Sequence, residues 1–313
     1  MPVRKLLSVV VGAGLLLSLS ACAAGPTGFA GCDEPGTNSA LVTAAGAAGS
    51  DPKATFPTPI VVKKADLAVL STGDGDQISS ADGADIVISL YDGTTGEALT
   101  GQNSAPLVSL KQRVFIDGAI PFTTALECAT VGSRVVTTGT VQQLLGGDSN
   151  TDPLIIVTDI TGSFLGQANG ADQVPQAGFP AVVFTPRGQP GFTFPDGDAP
   201  ATLTYGALKQ GNGDEVAKGD NVIVNLAAIA WDGAQTFAST WDNNAPAVLV
   251  ASSLPDDPQG LAPGLAEALI GQQVGSRLIV VVPPADGYPQ GTAPSGVDPT
   301  STLVFVVDIL GIG

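Results

Sequence analysis

Apolar residues recur in the C-terminal part of the chain in a pattern that predicts one short helix and two strands. Residues 263–271 form a brief amphipathic segment, and residues 278–284 and 302–309 are apolar runs rich in Val and Ile. So short a helix cannot bury its own leucines, whereas two such strands can bury one face against it. We therefore expect an antiparallel sheet wrapped around a short helix, with Tyr288 on a rim loop between the strands.

The same order of segments occurs twice along the chain. A Thr-Phe-Pro sequence at 55–57 begins 18 residues before a Gly-Asp-Gly-Asp sequence, and the same spacing separates 193–195 from a Gly-Asn-Gly-Asp sequence. Further downstream, 131–134 recurs as 274–277 (Val-Gly-Ser-Arg) and 153–160 recurs as 302–309. Four matched pairs in one order predict two copies of a domain, at 41–161 and 201–313.

The segments between these elements are rich in turn-forming residues. Glycine next to Asn or Asp tolerates positive φ, so 73–76 and 211–214 are expected to be hairpin turns. Residues 162–200, rich in Gly, Pro, Ala and Gln, are expected to be a linker. Within it, the alternating segments 181–185 and 192–194 are expected to pair as short edge strands.

The N-terminus has the pattern of an export signal. Arg4 and Lys5 precede an apolar run at 6–19, which is too short to span a bilayer comfortably. Small residues then lead directly to Cys22, as in a bacterial lipoprotein signal covering 1–21, whose cysteine becomes acylated. The alternative is an ordinary cleaved signal with Cys22 as a bystander. The first reading predicts lipid anchoring to the outer face of the bacterial cell membrane, with 22–40 as a tether.

Charge and composition narrow the function further. The formal net charge is −17, and it becomes −19 without residues 1–21, which hold two of the twelve basic residues and none of the 29 acidic ones. Such an acidic chain argues against binding to nucleic acid or to anionic lipid headgroups. The chain contains no histidine, so it lacks the usual general base and the commonest zinc ligand. We expect neither a metal nor a cofactor.

Two cysteines remain if Cys22 is acylated. Outside the cytoplasm a cysteine pair is usually oxidised, which favours a disulfide between Cys32 and Cys128 that ties the N-terminal arm to the first domain. The alternative is one buried thiol and one exposed thiol.

An ordered series of short sequences between about 207 and 309 resembles the FKBP-type peptidyl-prolyl isomerase domain. The series comprises Gly-Asn-Gly-Asp at 211–214, Lys-Gly-Asp at 218–220, the strand at 222–226, Trp-Asp-Gly at 231–233, the segment at 237–242, and the helix and strands described above. The resemblance implies an α+β fold of two FKBP-like domains after a lipoprotein signal. The first copy is expected to be degenerate, because its shorter segment after 134–138 lacks the rim loop.

The resemblance also implies a set of pocket residues. Those expected to act in catalysis are Tyr288, Phe237 and Phe305, and those expected to bind substrate are Leu226, Ala238, Leu261, Ala262, Leu265 and Val297. The Tyr288 hydroxyl and the backbone N–H near Ala262 would donate to a substrate carbonyl. Three positions depart from the family, which usually has Tyr at 226, Asp at 238 and often Trp at 265. The indole of Trp231 or Trp241 is a candidate to refill the pocket.

The implied reaction fits the composition. Rotation about an X-Pro amide has a barrier near 18–20 kcal/mol, and an apolar pocket that favours the twisted amide lowers it without a nucleophile or a metal. The expected function is isomerisation of proline bonds in extracytoplasmic polypeptides, which assists the folding of exported proteins. The alternative is a non-catalytic binding module or chaperone at the cell surface.

Overall fold

The computed structural model describes residue 32 and residues 34–313, apart from positions 81, 102–104, 117, 119, 148, 175–176, 232–235 and 295–296. The expected signal at 1–21 and the expected acylation site Cys22 lie outside these residues. In the described part of the chain, no helix is both long enough and apolar enough to cross a membrane.

The first half of the described chain forms a five-stranded antiparallel sheet. In chain order its elements are β1 (Thr43–Ala45), β2 (Lys53–Thr55), β3 (Asp66–Ser71), β4 (Asp82–Asp92), β5 (Leu110–Phe115), β6 (Arg134–Thr140), helix α1 (Val141–Leu145) and β7 (Pro153–Leu165). The sheet order is β3-β6-β7-β4-β5, while β1 and β2 form a separate hairpin. We call this sheet with its hairpin the first unit.

The second half forms a seven-stranded antiparallel sheet. Its elements are β8 (Ala171–Asp172), β9 (Ala181–Phe184), β10 (Pro190–Thr193), β11 (Thr204–Gln210), β12 (Asn221–Ala230), β13 (Thr236–Ser239), β14 (Ala247–Val250), α2 (Pro263–Leu269), β15 (Arg277–Val282) and β16 (Leu303–Ile312). The sheet order is β13-β12-β16-β15-β11-β8, with β14 also paired to β12, and β9 and β10 form a separate hairpin. We call this half the second unit.

A short helix packs on one face of each sheet, as the apolar pattern predicts. In the second unit, Leu265 and Leu269 of α2 are buried against the apolar side chains of β12, β15 and β16. In the first unit, the equivalent turn is a 3-10 helix, Pro121–Cys128, rather than an α-helix. The Thr123 and Thr124 hydroxyls there donate to carbonyls three residues back, which competes with regular helical bonding.

Corresponding hydrogen bonds recur in the two units. Arg134 pairs with Asp159 in the first, and Arg277 pairs with Asp308 in the second, with Nη2–Oδ2 distances of 2.7 Å and 2.6 Å. All four side chains are buried, so each charge depends on its oppositely charged partner for compensation. The backbone N–H groups of Gly49 and Ala168 complete the two carboxylate sites.

The N-terminal arm of each unit covers the other face of its sheet, and this corrects two expectations. Residues 162–200 are not a linker: 162–165 continue β7, β8 pairs with β11, and the β9–β10 hairpin packs Phe184, Phe192 and Phe194 over the sheet. The Phe184 ring lies 4.0 Å from the Arg277 guanidinium carbon. The hairpin strands pair with each other, as expected, but they lie on a sheet face and not at an edge.

The end of the expected tether is also part of the first unit. The backbone N–H groups of Asn38 and Ser39 both donate to the Asp66 carboxylate at 2.9 Å, and Ser39 is fully buried. Arg134 donates to the carbonyls of Gly46 and Ala47 in the arm. From residue 36 onward, the segment expected to be a tether is therefore packed against the first unit.

The Gly-rich sequences are not hairpin turns. Strands β3 and β4 are not neighbours in the sheet, so 73–76 belongs to a crossover. The Gly73 N–H donates to the Ser133 hydroxyl, and the Gly211 N–H donates to the Ser276 hydroxyl, both at 2.9 Å. A Cβ at Gly73 would lie 2.1 Å from the Val131 carbonyl oxygen, so glycine is needed here for close backbone approach.

The two units meet through a small apolar cluster. Phe164, at the end of β7, is buried against Ile223 and Leu310 of the second unit. Its ring also meets Phe115 of β5 edge-on, with the centroids 5.7 Å apart. These contacts fix the position of β5 relative to the second unit.

Candidate active site

The nine expected pocket residues come together on the helix side of the second sheet. They belong to one apolar cluster in which Leu261, Ala262, Leu265 and Phe305 are buried, and Leu226, Phe237, Ala238, Tyr288 and Val297 are partly buried. They come from three strands, the start of α2 and the rim loop. The tertiary fold therefore assembles residues that are up to 79 positions apart in sequence.

Two phenylalanines form the centre of this cluster. Phe305 lies on β16, which is paired on both sides by β12 and β15, and it is only 1% exposed. Phe237 lies on β13, and its ring meets that of Phe305 at 90° with the centroids 6.2 Å apart. Edge-to-face contact is a favoured geometry for aromatic pairs, so the two rings hold each other in place.

The start of α2 supplies a backbone donor. Ala262 is the N-cap, with extended φ and ψ of −50° and 133°, and Pro263 follows it in the first turn. The first N–H groups of a helix have no partner inside the helix. Among the residues that the structure describes, no acceptor pairs with the Ala262 N–H. This donor borders the apolar cluster.

Tyr288 lies on the rim loop that follows a 3-10 turn at Pro284–Asp286. Burial raises its pKa above the ordinary value of 10.0, which keeps the phenol protonated. Within the described ranges, its hydroxyl makes no hydrogen bond to the protein. The hydroxyl is therefore a donor that a ligand can use.

The departures at 226 and 238 place apolar side chains at the two positions where the family usually has Tyr and Asp. Leu226 and Ala238 both pack against the apolar cluster. Thr236, Ser239 and Thr240 line the same surface groove. The Thr240 hydroxyl accepts from the Leu226 N–H and donates to the Asn225 side chain, both at 3.0 Å. Since the Thr240 hydroxyl already pairs with these two groups, it does not replace the missing Tyr and Asp.

Besides the core residues of the sheet, the cluster contains two residues of β14 that sequence reasoning did not single out for the pocket. Ala247 and Leu249 of β14 pack against the same apolar side chains. The alternation of inward and outward residues along 247–250 is the signal that identifies them, since successive residues of a strand face opposite sides.

Neither tryptophan refills the pocket. Trp231 is buried on the opposite face of the sheet, where its ring meets Phe194 with the centroids 5.2 Å apart. The Trp241 indole N–H donates to the Arg187 carbonyl at 3.1 Å, away from the nine-residue cluster. Leu265 alone occupies the base position where the family often has tryptophan.

The second unit is similar in sequence to known proteins. The model of the family described as FKBP-type peptidyl-prolyl cis-trans isomerase matches residues 213–310. The Probable FK506-binding protein of Corynebacterium glutamicum is 30% identical over 125 residues, which cover 39% of this chain and 97% of that relative. The FK506-binding protein of Streptomyces anulatus is 25% identical over 125 residues, which cover 40% of this chain and 97% of that relative.

The chain belongs to the FKBP-type peptidyl-prolyl cis-trans isomerase family. The matched region contains all nine pocket residues. A crystal structure of FkpA from Escherichia coli is also similar, with 26% identity and a TM-score of 0.31, over 44% of this chain and 52% of that one.

The first unit, which lies outside the segment matched to the FKBP model, has a different structure at the corresponding place. Leu145 stands 11 residues after Arg134, as Tyr288 stands 11 residues after Arg277. Leu145 ends helix α1, and its neighbour Leu144 is fully buried together with Ile156 and Phe122. In the first unit, Leu144 of α1 therefore packs into the core at the place where the second unit has its rim loop.

The remaining expected sites concern cysteines. Cys22 lies outside the described residues. A disulfide joins Cys32 to Cys128, with their Cα atoms 5.1 Å apart, and attaches the arm to the 3-10 helix of the first unit.

Proposed function

We propose that the FKBP-type isomerase reaction of this chain takes place at the Phe237–Phe305 pocket of the second unit. The observation that carries the proposal is the assembly of all nine expected positions in one apolar cluster. The substrates are proline-containing segments of exported polypeptides, and the reaction is rotation of the peptide bond before proline.

The pocket accounts for the reaction without a nucleophile. The planar amide is stabilised by resonance, and twisting it removes the conjugation of the nitrogen lone pair. An apolar, water-poor wall formed by Phe237, Phe305 and Val297 accepts the proline ring in its twisted state and withholds solvent that stabilises the planar amide. No covalent bond to the protein forms or breaks.

Two donors orient the substrate carbonyls. The Ala262 N–H lies at the start of α2, and the Tyr288 hydroxyl lies on the rim above it. Because neither group pairs within the described protein, each can bind a carbonyl without first losing an internal hydrogen bond.

Because residues 226 and 238 are apolar here, we expect a lower isomerase activity than in a pocket that has Tyr and Asp at these positions. Each lost hydrogen bond to a substrate is worth about 1 kcal/mol. The pocket keeps its apolar walls, so proline still binds, but the peptide on either side is held by fewer groups. Leu226 and Ala238 are also the observation that favours a second candidate function, a non-catalytic module that binds proline-containing chains.

The first unit is a degenerate copy in this proposal. Its buried Arg134–Asp159 pair and its Gly73–Ser133 hydrogen bond match those of the second unit, which supports a common origin. Buried Leu144 and the short helix α1 leave no rim loop like the one carrying Tyr288. Its proposed role is structural or interactive.

The proposed location is the outer face of the bacterial cell membrane, with the chain anchored through lipid on Cys22. The support is the signal-like sequence at 1–22 and the Cys32–Cys128 disulfide, which suits an oxidising compartment. Lipid chains stabilise membrane attachment by about 0.8 kcal/mol for each buried methylene.

An isomerisation assay on a short Leu-Pro peptide tests the function and separates the two candidates. We expect the parent chain to accelerate isomerisation, and the Leu226→Tyr, Ala238→Asp double variant to do so about tenfold faster. If the parent and the double variant both bind the peptide without accelerating isomerisation, the binding module is correct and the isomerase proposal is wrong.

A further inference from the structure

A cleft between the two units begins where the isomerase pocket ends. Phe115 and Ile116 of the first unit form one side, and Asn225, Thr240 and Trp241 of the second unit form the other. Thr240 also lines the surface groove that contains Leu226, Phe237 and Ala238. The cleft and the proline pocket are therefore parts of one continuous surface that runs along β13 and the turn after it.

More of the cleft surface is apolar than polar, although Asp82 and Arg187 also line it, and two of its aromatic side chains are held in place. The Trp241 indole is held by its hydrogen bond to the Arg187 carbonyl, and the Phe115 ring is held edge-on by Phe164. Both aromatic side chains stay partly exposed. Because these groups are ordered before any ligand arrives, binding does not incur the entropic cost of ordering them.

The polar side chains of Asn225 and Thr240, on the second-unit side of the cleft, are already paired. The Asn225 side chain accepts from Thr240 and donates to the Gly166 carbonyl, at 3.0 Å and 3.5 Å. A ligand that buries these groups is not required to supply partners for them. The remaining attraction is contact with the aromatic and aliphatic surfaces, which selects an apolar side chain rather than a charged one.

We infer that the cleft is a second subsite for the same client chain, and that it binds a large apolar or aromatic side chain near the proline. This inference rests on the proposed isomerase function, since the proline pocket fixes the register of the peptide. Phe237 and Trp241 are four residues apart. Four residues span at most about 14 Å, so the selected side chain lies within about five residues of the proline.

Two labelled peptides of about ten residues test the inference by fluorescence anisotropy with the purified chain. Both contain one Leu-Pro pair, and one has Phe four residues from the proline where the other has Ser. We expect the parent to bind the Phe peptide about tenfold more tightly, which is the effect of burying most of one aromatic side chain. We expect Trp241→Ala to reduce the preference to less than twofold.

A second variant tests whether the effect of Trp241→Ala comes from the cleft itself and not from an indirect change caused by loss of the indole. Ser80 is exposed at the mouth of the cleft, so Ser80→Phe fills the cleft from the first unit without removing any buried group. It should also abolish the preference for the Phe peptide. The matched control is Ser71→Phe. Ser71 is exposed on β3, which lies at the edge of the first-unit sheet opposite to β5 and the cleft. This control variant should keep the preference.

The outcomes separate this inference from the proposed function. Binding of both peptides with equal affinity, or a Phe preference that survives both cleft variants, overturns the second subsite and leaves the isomerase pocket intact. Failure to accelerate the short Leu-Pro peptide, which does not reach the cleft, overturns the proposed function instead. If sedimentation shows that Ser80→Phe changes the oligomeric state and not the peptide preference, the cleft is a contact between copies of the chain.

Discussion

The rings of Phe237 and Phe305 meet at a right angle, with their centroids 6.2 Å apart. One ring is fixed in the middle of the sheet on β16, and the other is carried by the short strand β13. In the proposed pocket, the two rings support each other as the apolar wall against which proline packs. Removing either ring leaves the other without this support.

We expect Phe237→Ala to lower kcat/KM for a Leu-Pro peptide at least tenfold. The side chain is only partly buried, so the fold should lose about 1–3 kcal/mol and remain intact. The control is Phe192→Ala, which removes a partly buried aromatic from the opposite face of the same sheet. Comparable loss of activity in both variants, measured beside urea unfolding, would show that the effect comes from stability alone.

The Tyr288 hydroxyl should contribute a hydrogen bond worth about 1 kcal/mol, so Tyr288→Phe should lower kcat/KM several-fold. Tyr205→Phe is the matched control, because Tyr205 is exposed on β11. Measurement of kcat/KM for a Leu-Pro peptide with both variants checks this prediction. An unchanged kcat/KM in Tyr288→Phe would remove the hydroxyl from the mechanism.

The pH dependence of the activity follows from the same residue. Burial disfavours the phenolate and raises the pKa of Tyr288, so the donor stays protonated beyond the ordinary value of 10.0. The chain also has no histidine to titrate near neutrality. We expect a flat profile from about pH 6 to about pH 9, with a fall only above about pH 10. A bell-shaped profile centred near neutrality would indicate an acid–base group that the pocket does not contain.

Among the buried hydroxyls of the first unit that have no hydrogen-bond partner in the described residues are two on the neighbouring strands β6 and β7. They belong to Thr137 and Thr158, which are 1% exposed. Thr137 lies three residues after Arg134, as Val280 lies three residues after Arg277. Thr158 directly precedes Asp159, as Val307 directly precedes Asp308. Each Thr→Val change should stabilise the chain by about 1 kcal/mol, because it removes an unsatisfied polar group while keeping the shape.

Urea unfolding of Thr137→Val and Thr158→Val measures this directly. The reverse changes, Val280→Thr and Val307→Thr, should destabilise the second unit by a similar amount or more. Destabilisation by both forward changes would mean that the hydroxyls are satisfied in solution.

The N-terminal arm of the second unit, which contains the β9–β10 hairpin, should be required for the stability of that unit. A fragment of residues 201–313 lacks the hairpin that covers Ile279, Val281, Val304 and Val306, whereas a fragment of 166–313 keeps it. The shorter fragment therefore exposes a continuous apolar face, and we expect it to bind a hydrophobic dye and to aggregate. The longer fragment should do neither. Equal behaviour of the two fragments would show that the hairpin is dispensable.

Local patterns were enough to predict the central elements of the second unit. The predicted helix at 263–271 is α2, Pro263–Leu269, and the predicted strands at 278–284 and 302–309 are β15 and β16, each within a few residues. Their periodicity and Val-rich composition reflect burial on both faces of the sheet. The nine pocket positions came from the family resemblance, and the fold brings them together.

Long-range contacts were not predictable from the same patterns. The Gly-rich sequence at 73–76 looks like a hairpin turn locally, but Gly73 pairs with Ser133, which is 60 residues away. Likewise, alternation along 181–184 indicates a strand without indicating which surface it covers. Phe184 lies over Arg277 and places this hairpin on the sheet face, a contact that no local propensity encodes.

Proline-limited refolding of a test protein in the presence of the whole chain, with Tyr288→Ala beside Leu145→Ala, tests the central claim most directly. These two residues hold the same position in the two units, counted from Arg277 and Arg134. Uncatalysed isomerisation takes tens of seconds, so catalysis is easily resolved. We predict acceleration by the parent and by Leu145→Ala, and its loss in Tyr288→Ala. Acceleration that survives in Tyr288→Ala but disappears in Leu145→Ala would contradict the assignment of the active site to the second unit.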